Sequence, residues 1–166
     1  YDLKSDHGWG ELMDLIYTIN FNPNEIEDVL NVDRVLWAFA ANQVILNLDT
    51  YNGYYVHNYY MYLSENGLWQ MIPWDLDNSF SGAIMGWDFW NPTNVYEYDP
   101  YFTGPSLGGT TQPWEERPLL YKLLNDPFYR KIYTAHLRTI INESLDASLI
   151  LSNINQLQSL AYSAAS

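Results

Sequence analysis

The dipeptide Asn66-Gly67 constrains this chain more than any other feature, because it sits between the runs Asn58-Tyr-Tyr-Met-Tyr-Leu63 and Leu68-Trp-Gln-Met-Ile72. Asn-Gly between two alternating apolar runs is a strong hairpin signal, since both residues tolerate the positive φ of a tight turn. A two-residue turn pairs Asn58 with Asp75, and a four-residue loop pairs it with Pro73. Both registers leave Asn58 and Asp75 at one end of the hairpin.

The flanking sequence is helical in pattern. Trp9, Leu12, Met13, Ile16, Tyr17 and Ile19 recur at helical spacing from Trp9 to Asn20, and Asn22-Pro23 closes that helix. Asn24 is placed to cap a short helix from Glu25 to Leu30. Asp33 is placed to cap a longer one running through Val35, Leu36, Phe39, Ala40, Val44, Ile45 and Leu48. That helix is apolar nearly all round and is expected at the centre of the fold. Helices resume at Arg117 to Asn125 and at Asp126 to Asn142, where Asp126-Pro127 supplies a cap followed by proline at the first position. A last helix is expected from Asp146 to about Ala161, with a small polar tail that frays. Residues 79–118 hold most of the Gly and Pro and read as a long ordered loop. The predicted fold class is α+β, mostly α-helical with a small antiparallel hairpin, and residues 1–166 read as a single domain.

Composition narrows the function. Seven Lys and Arg against twenty Asp and Glu give a net charge of −13, a field that repels a phosphate backbone, so no nucleic-acid partner is expected. No apolar run approaches the ~20 residues of a membrane span. The absence of cysteine excludes a thiolate nucleophile, a disulfide framework and a Cys-ligated zinc site. The chain opens on Tyr1 without Met and reads as a fragment of a longer polypeptide.

The polar residues that interrupt apolar surroundings gather in one stretch: Asn47, Asp49, Asn52, His57, Asn58, Asp75, Asp77 and Asn78. Carboxylates and a carboxamide are hard oxygen ligands that suit Mg²⁺, which completes its shell with water and substrate phosphate oxygens. With three scattered His and no Cys, zinc is the poorer fit. Plainer readings stand beside this one. Asp75 to Asn78 also fits an Asx-turn ending a strand, the tyrosines fit ordinary packing, and His57 fits a satisfied strand histidine. Asp75-Leu-Asp77 matches the D-x-D of metal-dependent glycosyltransferases, but no nucleotide-binding βαβ unit accompanies it. No glycine-rich phosphate loop occurs either.

Four blocks together resemble the spore coat protein H (CotH) kinase family: Asn47-Leu-Asp49-Thr-Tyr-Asn52-Gly53; His57-Asn58-Tyr-Tyr-Met-Tyr62; Trp69-Gln-Met-Ile-Pro-Trp-Asp75-Leu-Asp77-Asn-Ser-Phe80; and Arg117-Pro-Leu-Leu-Tyr-Lys-Leu-Leu-Asn-Asp-Pro-Phe-Tyr-Arg-Lys131. The likeness spans about Asp33 to Leu160. It implies an atypical protein-kinase-like fold, of which this chain is the C-terminal catalytic lobe, and phosphoryl transfer from ATP to protein serine with Mg²⁺ or Mn²⁺. By that resemblance Asp49 is the catalytic residue that accepts or orients the hydroxyl proton. Asn58 and Asp75 hold the metal and nucleotide, and Asp77 and Asn52 stand second, with Asp77 a further metal ligand. It also implies an N-terminal lobe that covers the adenine and supplies a lysine. Lys4 is the only lysine before Lys122, so that lobe is expected to lie outside this chain. The expected partners are a serine-containing protein substrate and the missing lobe, and the expected location is extracellular, at a cell or spore surface.

A non-catalytic alternative rests on the aromatic segment 87–114, with Trp87, Phe89, Trp90, Tyr96, Tyr98, Tyr101, Phe102 and Trp114, which offers stacking surfaces to glycans or a peptide.

Overall fold

The computed structural model describes residues 2–5, 8–53, 55–80, 98–104 and 116–165. Within them the order is helix α1 (Trp9–Phe21), a 3₁₀ turn (Pro23–Glu25), α2 (Ile26–Val29), α3 (Val32–Val44), strands β1 (Tyr59–Leu63) and β2 (Trp69–Pro73), then α4 (Pro118–Asn125), α5 (Pro127–Glu143) and α6 (Ala147–Ala165). The fold is mostly helical with one two-stranded antiparallel sheet, the α+β class expected from the sequence.

Helix α3 is the centre. Val35, Leu36, Phe39 and Ala40 are fully enclosed, with Val32 and Ala38 nearly so. Beyond the exposed Asp33 and Arg34 of its first turn the helix turns little surface to water, as its apolar pattern predicts. Its cap is Asn31, whose Oδ1 accepts from the Arg34 N–H at 3.0 Å; Asp33, the expected cap, lies inside the first turn. The preceding 3₁₀ turn begins from Asn22, with Pro23 at its first position, where Asn24 had been expected to cap.

Helix α5 lies along α3 and contributes Tyr133 and Leu137 to the core. Its start is as expected: Pro127 takes the first position, and Asp126 accepts from the Phe128 N–H at 2.7 Å. Trp37 of α3 stacks on His136 of α5 with ring centroids 3.9 Å apart, and His136 Nε2 bonds Asp33 Oδ1 at 2.8 Å. Helix α4 inserts Leu119, Leu120, Leu123 and Leu124 beside this pair. Helix α6 runs to Ala165, past the fraying point expected after Ala161.

The hairpin is present in a register one residue from both expectations. Tyr59 pairs with Pro73 and Leu63 with Trp69, so extension of the ladder sets Asn58 against Trp74, whose N–H donates to the Asn58 carbonyl at 3.1 Å. The loop has three residues, not two or four. Ser64 N donates to Leu68 O at 3.1 Å, Gly67 N to Ser64 O at 2.9 Å, and Gly67 takes φ +80, the left-handed bulge position of a three-residue loop. Trp69 and Met71 face α3, and a bridge from Leu30 to Trp69 ties β2 to the start of that helix.

Most of the 87–114 aromatic segment lies outside the described residues. Within 98–104, Tyr101 packs inward: its hydroxyl lies 2.9 Å from Thr134 Oγ1, its ring sits against Tyr133, and Arg130 covers it at 4.1 Å. Among the described residues no helix is long and apolar enough to cross a membrane.

Candidate functional site

The site begins where α3 stops. The apolar run continues to Leu48, but the helix ends at Val44, because Leu46 takes φ +51 and the chain folds back on itself. Leu46 N donates to Gln43 O at 3.2 Å and Asn47 N to Asn42 O at 2.8 Å, the paired bonds of a Schellman stop. Leucine in place of the usual glycine makes this a strained stop, costing about 1–2 kcal/mol.

Residues Asn47 to Gly53 then form a loop that is wholly buried. Buried loop backbone needs partners, and asparagines supply them. Asn47 Nδ2 donates to Asn42 Oδ1, Asn42 Nδ2 to Thr50 Oγ1, and Asn52 Nδ2 to the Phe39 carbonyl, each at 3.2 Å. The Asp49 N–H is taken by Asn47 Oδ1 at 3.2 Å. Asn52, a second-rank candidate from sequence, therefore fixes the loop to α3. A side chain on Gly53 would strike the Leu48 carbonyl, so the loop closes on itself only with glycine there. Arg117, 1 % exposed, clamps the outside: Nη1 donates to Gly53 O at 2.6 Å and Nη2 to Gly104 O.

This frame holds Asp49 at 7 % exposure, with its carboxylate the focus of three side chains. Asn58 Nδ2 donates to Oδ2 at 2.9 Å and Asn78 Nδ2 to the same oxygen at 2.8 Å, while His57 Nε2 meets Oδ1. Asn58 lies at the start of β1, and Asn78 lies in the turn after β2, which is pinned to α3 by Phe80 N donating to Ile45 O at 2.9 Å. Two segments far apart in sequence are thus drawn onto one oxygen of a buried carboxylate, whose other oxygen, beside His57, accepts no hydrogen bond.

Asp75 and Asp77 lie exposed just beyond β2, at the same end of the hairpin as Asn58 and outside the bonded cluster. Among the described residues the non-glycine positions with positive φ are Leu46, Asn58, Asp75 and Phe80. Asn58 bonds the Asp49 carboxylate, and Phe80 N donates to Ile45 O, next to Leu46 at the stop of α3. Strain gathered in this way around a polar centre is a mark of functional sites.

The donor set fits a hard divalent cation. With its nitrogen given to Asp49, Asn58 keeps its carboxamide oxygen for a ligand, and Asp75 and Asp77 add carboxylates open to solvent. Among the described residues no three His, Asp or Glu side chains group as a metal cage.

Asp49 and Asn58, named from sequence, are thus brought together, and Asp75 and Asp77 share their end of the hairpin. Asn78 and His57 complete the carboxylate's environment. Both belong to the polar stretch visible in the sequence, but neither spacing nor pattern singles them out, because Asn78 arrives through a turn. Arg117 heads one of the resembling blocks, but its clamp was not readable there, since a buried arginine that bonds backbone carbonyls has no sequence pattern.

The fold and this cluster define a class: a mostly helical α+β protein with a buried carboxylate caged at the open end of a single hairpin. The sequence matches the CotH kinase protein family over residues 2–165, and the chain belongs to that family, kinase-like at the family level. It is 37% identical over 81 residues to the inner spore coat protein H of Bacillus subtilis (strain 168), a match covering 45% of this chain and 21% of that relative's length.

Proposed function

We propose that this chain is the catalytic lobe of a protein kinase that transfers phosphate from ATP to a protein hydroxyl, chiefly serine, with Mg²⁺ or Mn²⁺. The observation that carries the reading is the bond from Asn58 to Asp49 at the hairpin end where Asp75 also lies. In this reading Asp49 orients the acceptor hydroxyl and takes its proton, a task that needs a fixed carboxylate. Asn78 and Asn58 fix it. Asn58 and Asp75, with Asp77 as a further ligand, would hold the cation, which supplies the positive charge that neutralises the migrating phosphoryl group.

That charge has to come with the nucleotide. Asp49, Asp75 and Asp77 would repel a triphosphate alone, and no lysine lies between Lys4 and Lys122 in the chain. A further lobe of the same polypeptide that covers the base completes the proposal. The spore-coat relative supports a spore-associated location.

The test is transfer of labelled phosphate to protein by the longer polypeptide, with Mg²⁺ or Mn²⁺ and an Asp75→Ala control. Metal-dependent transfer abolished by the substitution is expected. Transfer that survives it, or none with either metal, overturns the reading.

A further inference from the structure

Helix α6 stands off the rest of the fold. Asp146 caps its start, with Oδ1 accepting from the Leu149 N–H at 2.9 Å, and among the described residues no other element lies along it. Leu149, Leu151, Ile154 and Leu157 are exposed, the last at 65%. An amphipathic helix draws most of its stability from burial of its apolar face, so this one calls for a partner.

The pattern says which. Ile150, Ile154, Leu157 and Ala161 follow one another at spacings of four, three and four, the seam of a heptad repeat. Ser148, Ser152, Asn155 and Ser159 fall on the opposite side. Asp146 is the last charged residue of the chain, so the helix itself carries none. Helices that lie in a membrane surface have a charged, mostly basic face, which α6 lacks. The positions flanking the seam, Leu151, Asn153 and Gln158, also lack the charges by which a coiled coil selects an unlike helix.

A second copy fits the seam in the antiparallel sense. A two-fold axis between Asn155 and Gln156 sets Ile154 against Leu157 in the two central layers and Ile150 against Ala161 at both ends, so bulky and small side chains alternate across the contact. Parallel pairing stacks like on like and leaves Ala161 facing Ala161 across a void. Charge favours the same arrangement, because each chain carries −13. At 1.5 Å per residue the antiparallel pair holds its two Asp146 positions about 28 Å apart along the axis, well beyond the Debye length of about 8 Å at physiological salt. Parallel pairing would bring both acidic chains together at one end.

We infer that α6 is a self-association surface, on which two copies of this chain pair as an antiparallel two-helix coiled coil. A contact one 19-residue helix long is small, so the dimer forms reversibly and with rising concentration.

Sedimentation equilibrium of the chain between about 10 µM and 1 mM is expected to show a growing dimer fraction. Leu157→Asp places a carboxylate in both central layers and should weaken association by about tenfold or more. Circular dichroism reports whether this variant keeps the parent fold, which the exposure of Leu157 favours. The chain has no cysteine, so disulfide formation under mild oxidation reads the geometry directly. Ile150→Cys mixed with Ala161→Cys should give a disulfide-linked pair, and neither variant alone should link to itself. A parent that stays monomeric across the range, a folded Leu157→Asp that associates as the parent does, or an Ile150→Cys that links to itself as readily as to Ala161→Cys overturns the proposal.

Discussion

Asp49 divides its two oxygens: two carboxamides donate to Oδ2, while Oδ1, with His57 beside it, accepts no hydrogen bond. Asp49→Asn can keep this geometry. Its oxygen would still accept from Asn58 and Asn78, while its new amide turns to His57, whose neutral ring accepts in the other tautomer. The substitution therefore removes a charge and little else. We expect the rate of phosphoryl transfer to fall by about 10²–10⁴-fold with no change in thermal midpoint, and a rate within a few-fold of the parent would remove Asp49 from the mechanism. Gly53 tests the frame instead of the chemistry. A Cβ there meets the Leu48 backbone on the opposite side of the loop, and backbone cannot swing aside. Gly53→Ala should cost about 1–3 kcal/mol in denaturant unfolding. Gly67→Ala has open space around it and only a positive φ to overcome, so its cost should stay near about 1 kcal/mol. Equal losses at the two positions would mean that the Asn47–Gly53 loop is looser than its packing implies.

Arg117 joins three elements. From the residue before α4 it reaches the Gly53 and Gly104 carbonyls, and its guanidinium lies 5.9 Å from the Phe102 ring. Two charge-assisted bonds to buried carbonyls lost together should cost about 3 kcal/mol or more. Arg117→Met is therefore expected to lower the unfolding free energy by that amount, and Arg117→Lys to restore only part, because an ammonium lacks the fork that spans two acceptors. A loss under about 1 kcal/mol, the net worth of one ordinary hydrogen bond, would show that the loop holds without the clamp. Such long-range clamps explain what the sequence could and could not tell. The hairpin, the central α3 and the Asp126-Pro127 start of α5 were legible, because each rests on neighbours in sequence: turn chemistry, apolar periodicity, a cap. The end of α3 was not, since the apolar run passes through Leu46 into a buried loop, and apolar pattern reports burial, not helix. The register was missed because Ser64 and Leu68 close a three-residue loop around the Asn-Gly signal. Helix α1 shows a related limit: Leu12, Leu15 and Ile19 face the core, whereas Trp9, Met13 and Tyr17, which the same periodicity enlisted, face outward. Within the site, Asp49 and Asn58 were readable from their blocks, while Asn78 and His57 acquire meaning only when the chain has folded around the carboxylate.

At the scale of the whole molecule, the packing of α5 on α3 buries an ionisable group that no charge partner rescues. Tyr133 is fully enclosed, and its hydroxyl donates to the Pro100 carbonyl at 2.8 Å, which ties the 98–104 segment to the core. Burial pushes its phenol well above the ordinary range, with nearby Tyr98, Tyr101 and Asp99 adding to the effect. Tyr129, one turn earlier, is pushed up to about 12, first by burial and then by its bond to Glu27. The sign follows from where the protons sit. Above about pH 10 the unfolded chain releases its phenolic protons while the folded chain keeps them, so the native state binds more protons and stability falls as pH rises. Tyr133 alone should contribute a slope of about 1.4 kcal/mol per pH unit there, with its stabilisation complete below that range. Tyr133→Phe removes the group that titrates. The variant should be less stable near neutrality by about 1 kcal/mol for the lost hydrogen bond, yet lose stability less steeply between about pH 10 and 11. Denaturant unfolding at a series of pH values distinguishes the slopes, and an unchanged alkaline slope in Tyr133→Phe would mean that the phenol reaches water before the fold opens.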